Sequence, residues 1–162
     1  MKREQKSLTN KGFSLVELII VVAIMAVLIG VLAPQYLRYV EKTRLQRDNT
    51  GIADFANVLK IASTEEKVNT EITTAGLKFT FTQDASGNWI ATAPASGATN
   101  LVDEVNKTVH LTDVKLASNT YVGAGSKPEI TVKLDSNKIV TVECANFVED
   151  PSDPTKTVTK VF

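Results

Sequence analysis

The chain of 162 residues has little of what catalysis, cross-linking or nucleic-acid binding requires. It has one cysteine, Cys144, so no disulfide can close within it. Any exported part must then hold together by packing, or come from an organism that does not rely on exported disulfides. Cys144 sits in the β-rich half with no His or Lys close to it in sequence, so it reads as a small buried apolar residue. The single histidine, His110, is far from Cys144 in sequence, and no third group orients a Cys–His nucleophilic pair. A phosphate-cradling glycine loop, a zinc cluster and a catalytic triad are all missing, so the sequence offers no enzymatic signature and calls for no cofactor. An excess of one charge is also missing. The 18 basic residues balance the 18 acidic ones, which gives no reason to expect nucleic-acid binding.

What charge asymmetry there is lies at the start. Residues 1–12 hold Lys2, Arg3, Lys6 and Lys11 against Glu4 alone. The remainder has 14 basic and 17 acidic residues, a net charge of −3. Directly after this leader comes the dominant feature, an unbroken apolar run from Leu18 to Ala33. Phe13, Leu15 and Val16 extend it to residues 13–33, interrupted by Ser14 and Glu17. As a helix this stretch is about 31 Å long at 1.5 Å per residue, which matches the hydrocarbon core of a bilayer. A soluble core helix rarely needs apolar residues on every side, so the run reads as a membrane span.

It does not read as an ordinary secretory signal. Such a signal ends in small residues of the A-x-A kind, whereas this run ends in Val31-Leu32-Ala33-Pro34. The small residue Gly12 lies before the run instead, so cleavage there leaves the whole span on the mature chain. The basic leader favours a cytoplasmic N-terminus. Arg38, Lys42, Arg44 and Arg47, offset by Glu41 and Asp48, follow the span and weaken that asymmetry. The strand-rich bulk of the chain suits the outside, so the N-terminus is placed inside.

Beyond Pro34 the helical pattern continues to about Val68, a rod of about 84 Å from residue 13. A stripe of Val40, Arg44, Arg47, Ile52, Phe55, Leu59 and Ala62 turns apolar in its second half, with Glu41, Asp48, Asn49 and Asp54 opposite. From Leu77 the period becomes two. Leu77, Phe79 and Phe81 alternate with polar residues, a turn at Asp84–Asn88 leads to Trp89-Ile90-Ala91, and Ile130, Val132 and Leu134 precede a turn at Asp135-Ser136-Asn137. Ile139, Val140 and Val142 return. This predicts an α+β fold: one long N-terminal helix, transmembrane then amphipathic, packed on roughly four antiparallel strands. Within residues 94–128, Val109-His110-Leu111 and Val114-Lys115-Leu116 are candidates for a further strand. Ser96-Gly97-Ala98 and Gly123-Ala124-Gly125-Ser126 read as loops. The acidic, proline-bearing tail Glu149–Pro154 reads as irregular.

The junction Lys11-Gly12-Phe13-Ser14-Leu15-Val16-Glu17, followed at once by the apolar run and then Pro34, resembles the prepilin family: type IV pilins and the related pseudopilins of secretion and competence systems. The resemblance covers about residues 11–40. It implies removal of residues 1–12 by a prepilin peptidase cutting after Gly12, with N-methylation of the new terminus at Phe13. It also implies an assembly helix over residues 13–34, a globular head over 35–162, and partners comprising other copies of the chain, the membrane and an assembly platform with its ATPase. Many diderm pilins close a C-terminal loop with a disulfide. The lone Cys144 departs from that and points to a Gram-positive or divergent pilin. Some secretion pseudopilins bind calcium in the corresponding part of the head, which makes Glu149, Asp150 and Asp153 weak metal candidates, although their spacing matches no EF-hand loop. The resemblance favours a type IV pilus subunit, with a pseudopilin of a secretion or competence system as the runner-up and an uncut membrane-anchored binding domain as the third reading.

Residue chemistry gives these positions roles of their own. Gly12 lets the backbone extend into a protease cleft. Glu17 is a carboxylate on a membrane helix, a position that costs on the order of 2.5–3.5 kcal/mol at mid-bilayer and less near the interface. Either it snorkels to the headgroups, or the α-ammonium of Phe13 in a neighbouring copy satisfies it and so sets the stagger between subunits. Pro34 cannot donate to the carbonyl of Gly30, which gives a gentle curve or a segment that unwinds under load. Once outside lipid, residues 15–33 need cover. Roughly 15 large side chains at about 1.5–3 kcal/mol each amount to tens of kcal/mol, which bundling with other copies would recover.

Overall fold

The computed structural model describes residues 12–73, 75–123, 127–134, 139–151 and 153–162. The chain divides into two compact units between Tyr39 and Val40. Helix α1 (Leu15–Ala62) is 48 residues long and contributes to both. In the first unit its side chains are exposed on every side, and among the described residues it is the one helix long and apolar enough to cross a membrane.

In the second unit α1 turns amphipathic. Its buried residues are Leu45, Asp48, Asn49, Ile52, Phe55, Ala56, Leu59 and Ala62, the three-and-four spacing of a helix with one face covered. This corrects the stripe read from sequence. Arg44 and Arg47 are exposed, while Asp48 and Asn49, assigned there to the outer face, point inward. The helix also stops earlier than the periodicity suggests. Ser63 and Thr64 turn their hydroxyls back onto the carbonyls of Lys60 and Ile61, both at 2.7 Å, and the backbone tightens to i→i−3 bonds at Thr64 and Glu65. These side chains compete with the helix for its own acceptors. A separate short helix, α2 (Glu66–Asn69), follows.

The sheet has six antiparallel strands rather than four. In chain order they are β1 (Leu77–Gln83), β2 (Trp89–Thr92), β3 (Lys115–Leu116), β4 (Glu129–Leu134), β5 (Val140–Val148) and β6 (Thr157–Val161). In space the order is β3-β2-β1-β4-β5-β6. The central strands show the period of two. Leu77, Phe79 and Phe81 of β1, Ile130 and Val132 of β4, and Val142 and Cys144 of β5 are all buried. Their register aligns them in rows, Phe79 opposite Ile130 and Ile130 opposite Cys144. That face meets α1, where the rings of Phe55 and Phe79 stand edge to face at 5.6 Å.

The turn expected at Asp84–Asn88 is present. The Asp84 carboxylate accepts from the backbone N–H groups of Ser86 and Asn88, both at 2.8 Å. The turn at Asp135–Asn137 and the loop residues Ala124–Ser126 lie outside the described residues. Of the candidate strand at 109–116, residues Leu111–Asp113 form a 3₁₀ turn and the last two make β3. A third helix, α3 (Thr99–Thr108), and a fourth, α4 (Asn119–Val122), occupy the stretch between β2 and β4. In β5, Ala145 and Asn146 oppose a single residue of β6. Asn146 takes a φ of +58°, a conformation that asparagine tolerates better than most residues.

Candidate processing and assembly segment

Gly12 and Phe13 lie outside the helix and are solvent-exposed, Phe13 to 89%. The helix begins at Leu15, and Leu18 donates its N–H to the carbonyl of Ser14 at 3.2 Å. Ser14 therefore stands at the N-cap. Its own N–H donates to Glu17 Oε2 at 3.0 Å. The sequence Ser14-Leu15-Val16-Glu17 is thus an S-x-x-E capping box, of which the bond from the cap N–H to the carboxylate at the third helical position is formed. Glu17 also sits where the helix dipole favours negative charge. The S-x-x-E pattern at Ser14–Glu17 is itself a sequence signal for this cap.

From Leu15 to Leu32 the large apolar side chains are uncovered, from 46% exposed at Val21 to 73% at Leu15. α1 runs unbroken through Pro34. Gly30, whose carbonyl loses its partner to Pro34, has no atom of another element near it.

The head carries a second constellation that sequence reasoning missed. Asp48 Oδ2 accepts from the backbone N–H groups of Ala117 (2.8 Å) and Ser118 (2.7 Å). About two turns earlier, Glu41 Oε1 accepts from the N–H of Thr120 at 3.1 Å. Asn49 donates to the carbonyl of Val148 at 2.8 Å and accepts from the hydroxyl of Tyr121 at 2.7 Å, and that hydroxyl in turn accepts from the N–H of Val148 at 2.9 Å. Three polar side chains of α1 thereby clamp the β3–α4 segment and the end of β5 to the helix. Burial, opposed by the hydrogen bond from Val148, pushes the Tyr121 hydroxyl up to about 12.

The remaining sequence candidates stay apart. Cys144 is fully buried, and burial pushes its thiol up to about 12, with nearby Lys160 acting weakly the other way. His110 is exposed. The Asp153 carboxylate accepts from the Thr155 hydroxyl at 2.6 Å within its own turn. Among the described residues no group of three or more His, Cys, Asp or Glu side chains gathers as a metal site. Phe79 and Phe81 are sheet core, while Trp89 is half-buried beneath the ammonium of Lys127, 4.2 Å from the ring centre.

A helix with an apolar stretch long enough to cross a membrane, preceded by an exposed Gly-Phe junction, in a chain whose second unit is an α+β fold, fits a membrane-anchored precursor. The sequence profile of the prokaryotic N-terminal methylation motif matches residues 8–33. The chain therefore carries the class III signal of type IV pilins and pseudopilins, which supports a pilin-like prepilin or pseudopilin. Neither a curated protein nor a solved structure matches the chain.

Proposed function

We propose that this chain is the precursor of a type IV pilus subunit. A prepilin peptidase in the cytoplasmic membrane cuts after Gly12, removes residues 1–12 and methylates the new terminus at Phe13. Residues 13–34 then serve as the assembly helix, and residues 35–162 become the exposed head. Before assembly the chain spans the membrane once with its N-terminus inside. An assembly platform and its ATPase draw it into an extracellular filament. Its role is structural rather than catalytic, and adhesion, motility and aggregation are the functions such a filament serves.

The observation that carries this reading is the junction itself, an exposed Gly12–Phe13 followed at once by uncovered apolar helix. An exposed backbone outside the helix fits a protease cleft, and cutting there keeps the apolar segment on the product. In a filament, neighbouring copies cover that segment, and the Phe13 ammonium of one copy lies against Glu17 of the next.

Mass spectrometry of the chain co-expressed with a prepilin peptidase tests this reading. The expected product begins at Phe13, with the added mass of one methyl group. Recovery of intact Met1 alone refutes processing and leaves an uncut anchored domain. Labelling of surface fibres with antibody to the head distinguishes a pilus from the shorter fibre of a pseudopilin.

A further inference from the structure

The apolar run of α1 is bounded at both ends by residues suited to a membrane interface. At the start stand Ser14 and Glu17, joined by their hydrogen bond. At the end stand Tyr36, Arg38 and Tyr39, the two tyrosines 66% and 70% exposed. Three residues apart on a helix, the tyrosines occupy neighbouring positions of one face. A tyrosine ring rests at headgroup level with its hydroxyl in water, and arginine extends its guanidinium to the same zone.

The spacing allows both ends to reach an interface at once. Glu17 and Tyr36 are nineteen residues apart, about 28 Å of helix, against a hydrocarbon core of about 30 Å. A shift of one helical turn in one direction draws Tyr36 and Arg38 into hydrocarbon. The same shift in the other direction draws Glu17 in and lifts the tyrosines out.

We infer that two interfacial anchors hold the helix in the bilayer: Ser14–Glu17 at the cytoplasmic face and Tyr36–Arg38–Tyr39 at the outer headgroup zone. This rests on the membrane-spanning part of the proposed function. It settles the choice left open for Glu17 in the unassembled chain. The carboxylate lies among headgroups, accepting from the N–H of Ser14, and loses water when the subunit leaves the membrane for the filament. The positive charge of a neighbouring terminus then replaces headgroup water instead of relieving a charge already stranded in hydrocarbon.

Depth-resolved fluorescence tests the inference. The full chain carrying Trp89→Phe is reconstituted in phosphatidylethanolamine–phosphatidylglycerol vesicles with either Tyr36→Trp or Met25→Trp. The lipids are brominated near the glycerol or near the chain ends. The expected result is stronger quenching by shallow bromines at position 36 and by deep bromines at position 25. Removing the outer anchor with Tyr36→Ala, Arg38→Ala and Tyr39→Ala together should shift the quenching profile at position 25. A native head is verified in every sample by the failure of Cys144 to react with thiol reagents. Deep quenching at position 36, or an unchanged profile at position 25 when the anchor is removed, overturns the inference. Cut and uncut chains are both usable, so a failure of processing, read by mass, is distinct from a failure of the anchors.

Discussion

Asp48 illustrates how one carboxylate holds a segment in place. Its side chain has no solvent exposure and serves the N–H groups of Ala117 and Ser118 through a single oxygen. Among the described residues the second oxygen has no hydrogen-bond donor, and the Arg47 guanidinium lies 3.7 Å from it. Removing the carboxylate strands two backbone donors in the interior, so Asp48→Ala should cost about 3 kcal/mol in chemical denaturation of the head. Asp48→Asn keeps an acceptor oxygen and should cost distinctly less. Equal losses would mean that the two N–H bonds contribute little.

Tyr121 and Cys144 set a second prediction at this scale. Burial raises the phenol from 10.0 and the thiol from 9.0, each to about 12. Both groups are neutral when protonated, so between pH 9 and 12 the folded chain binds more protons than the unfolded one. Stability contributed this way is complete below pH 9 and is lost as pH rises toward 12. A tenfold change in ionisation is worth about 1.4 kcal/mol, so the loss is on the order of a few kcal/mol. Denaturation midpoints measured across that window should fall, and Tyr121→Phe should make the fall shallower. The burial of Cys144 was readable from its strand and apolar setting. That of Asp48 and Asn49 was not, because periodicity assigns polar residues to water, and their partners lie about 70 to 100 residues away.

The elements repeat the lesson. Helix α3 opens at Ala98, which has no side chain able to cap it. The cap comes instead from Glu71, whose two oxygens accept from the N–H groups of Asn100 (2.9 Å) and Leu101 (3.0 Å). A start signal supplied from 30 residues upstream leaves no local trace, and the sequence reading assigns no element to residues 99–108. Glu71→Ala should cost about 1 kcal/mol and should speed hydrogen exchange at Asn100 and Leu101 before it affects the sheet. Unchanged exchange there would show that the cap is dispensable. Strand β3 falls within the candidate Val114-Lys115-Leu116, while β6 follows a proline-bearing turn and is not read as a strand from sequence. By contrast β1, β4 and β5 were legible, because each alternates over a central, half-covered position. Helix α1 was legible in existence and misjudged at its end, where Ser63 and Thr64 stop it.

The start of α1 separates two roles of Glu17. Glu17→Gln retains an acceptor for the N–H of Ser14 but carries no charge. Glu17→Ala loses both. If a neighbour's terminal ammonium fixes the stagger, both variants should be cut after Gly12 and both should fail to enter filaments. Normal incorporation of Glu17→Gln would reduce Glu17 to a helix cap.

At the scale of the whole molecule, two surfaces answer to different solvents. Residues 40–162 bury a sheet face under an amphipathic helix and clamp it with polar side chains, which is how a head without a disulfide holds together. Residues 15–33 bury nothing within the described chain. That contrast was visible in the sequence as a run too long and too uniformly apolar for a small soluble core, beside a junction that carries the N-terminal methylation motif. The most direct measurement is sedimentation of the full-length chain beginning at Phe13, transferred from detergent into plain buffer. Polymers or insoluble material, with no stable monomer, are expected. A monodisperse, water-soluble monomer with its apolar helix intact would contradict the account.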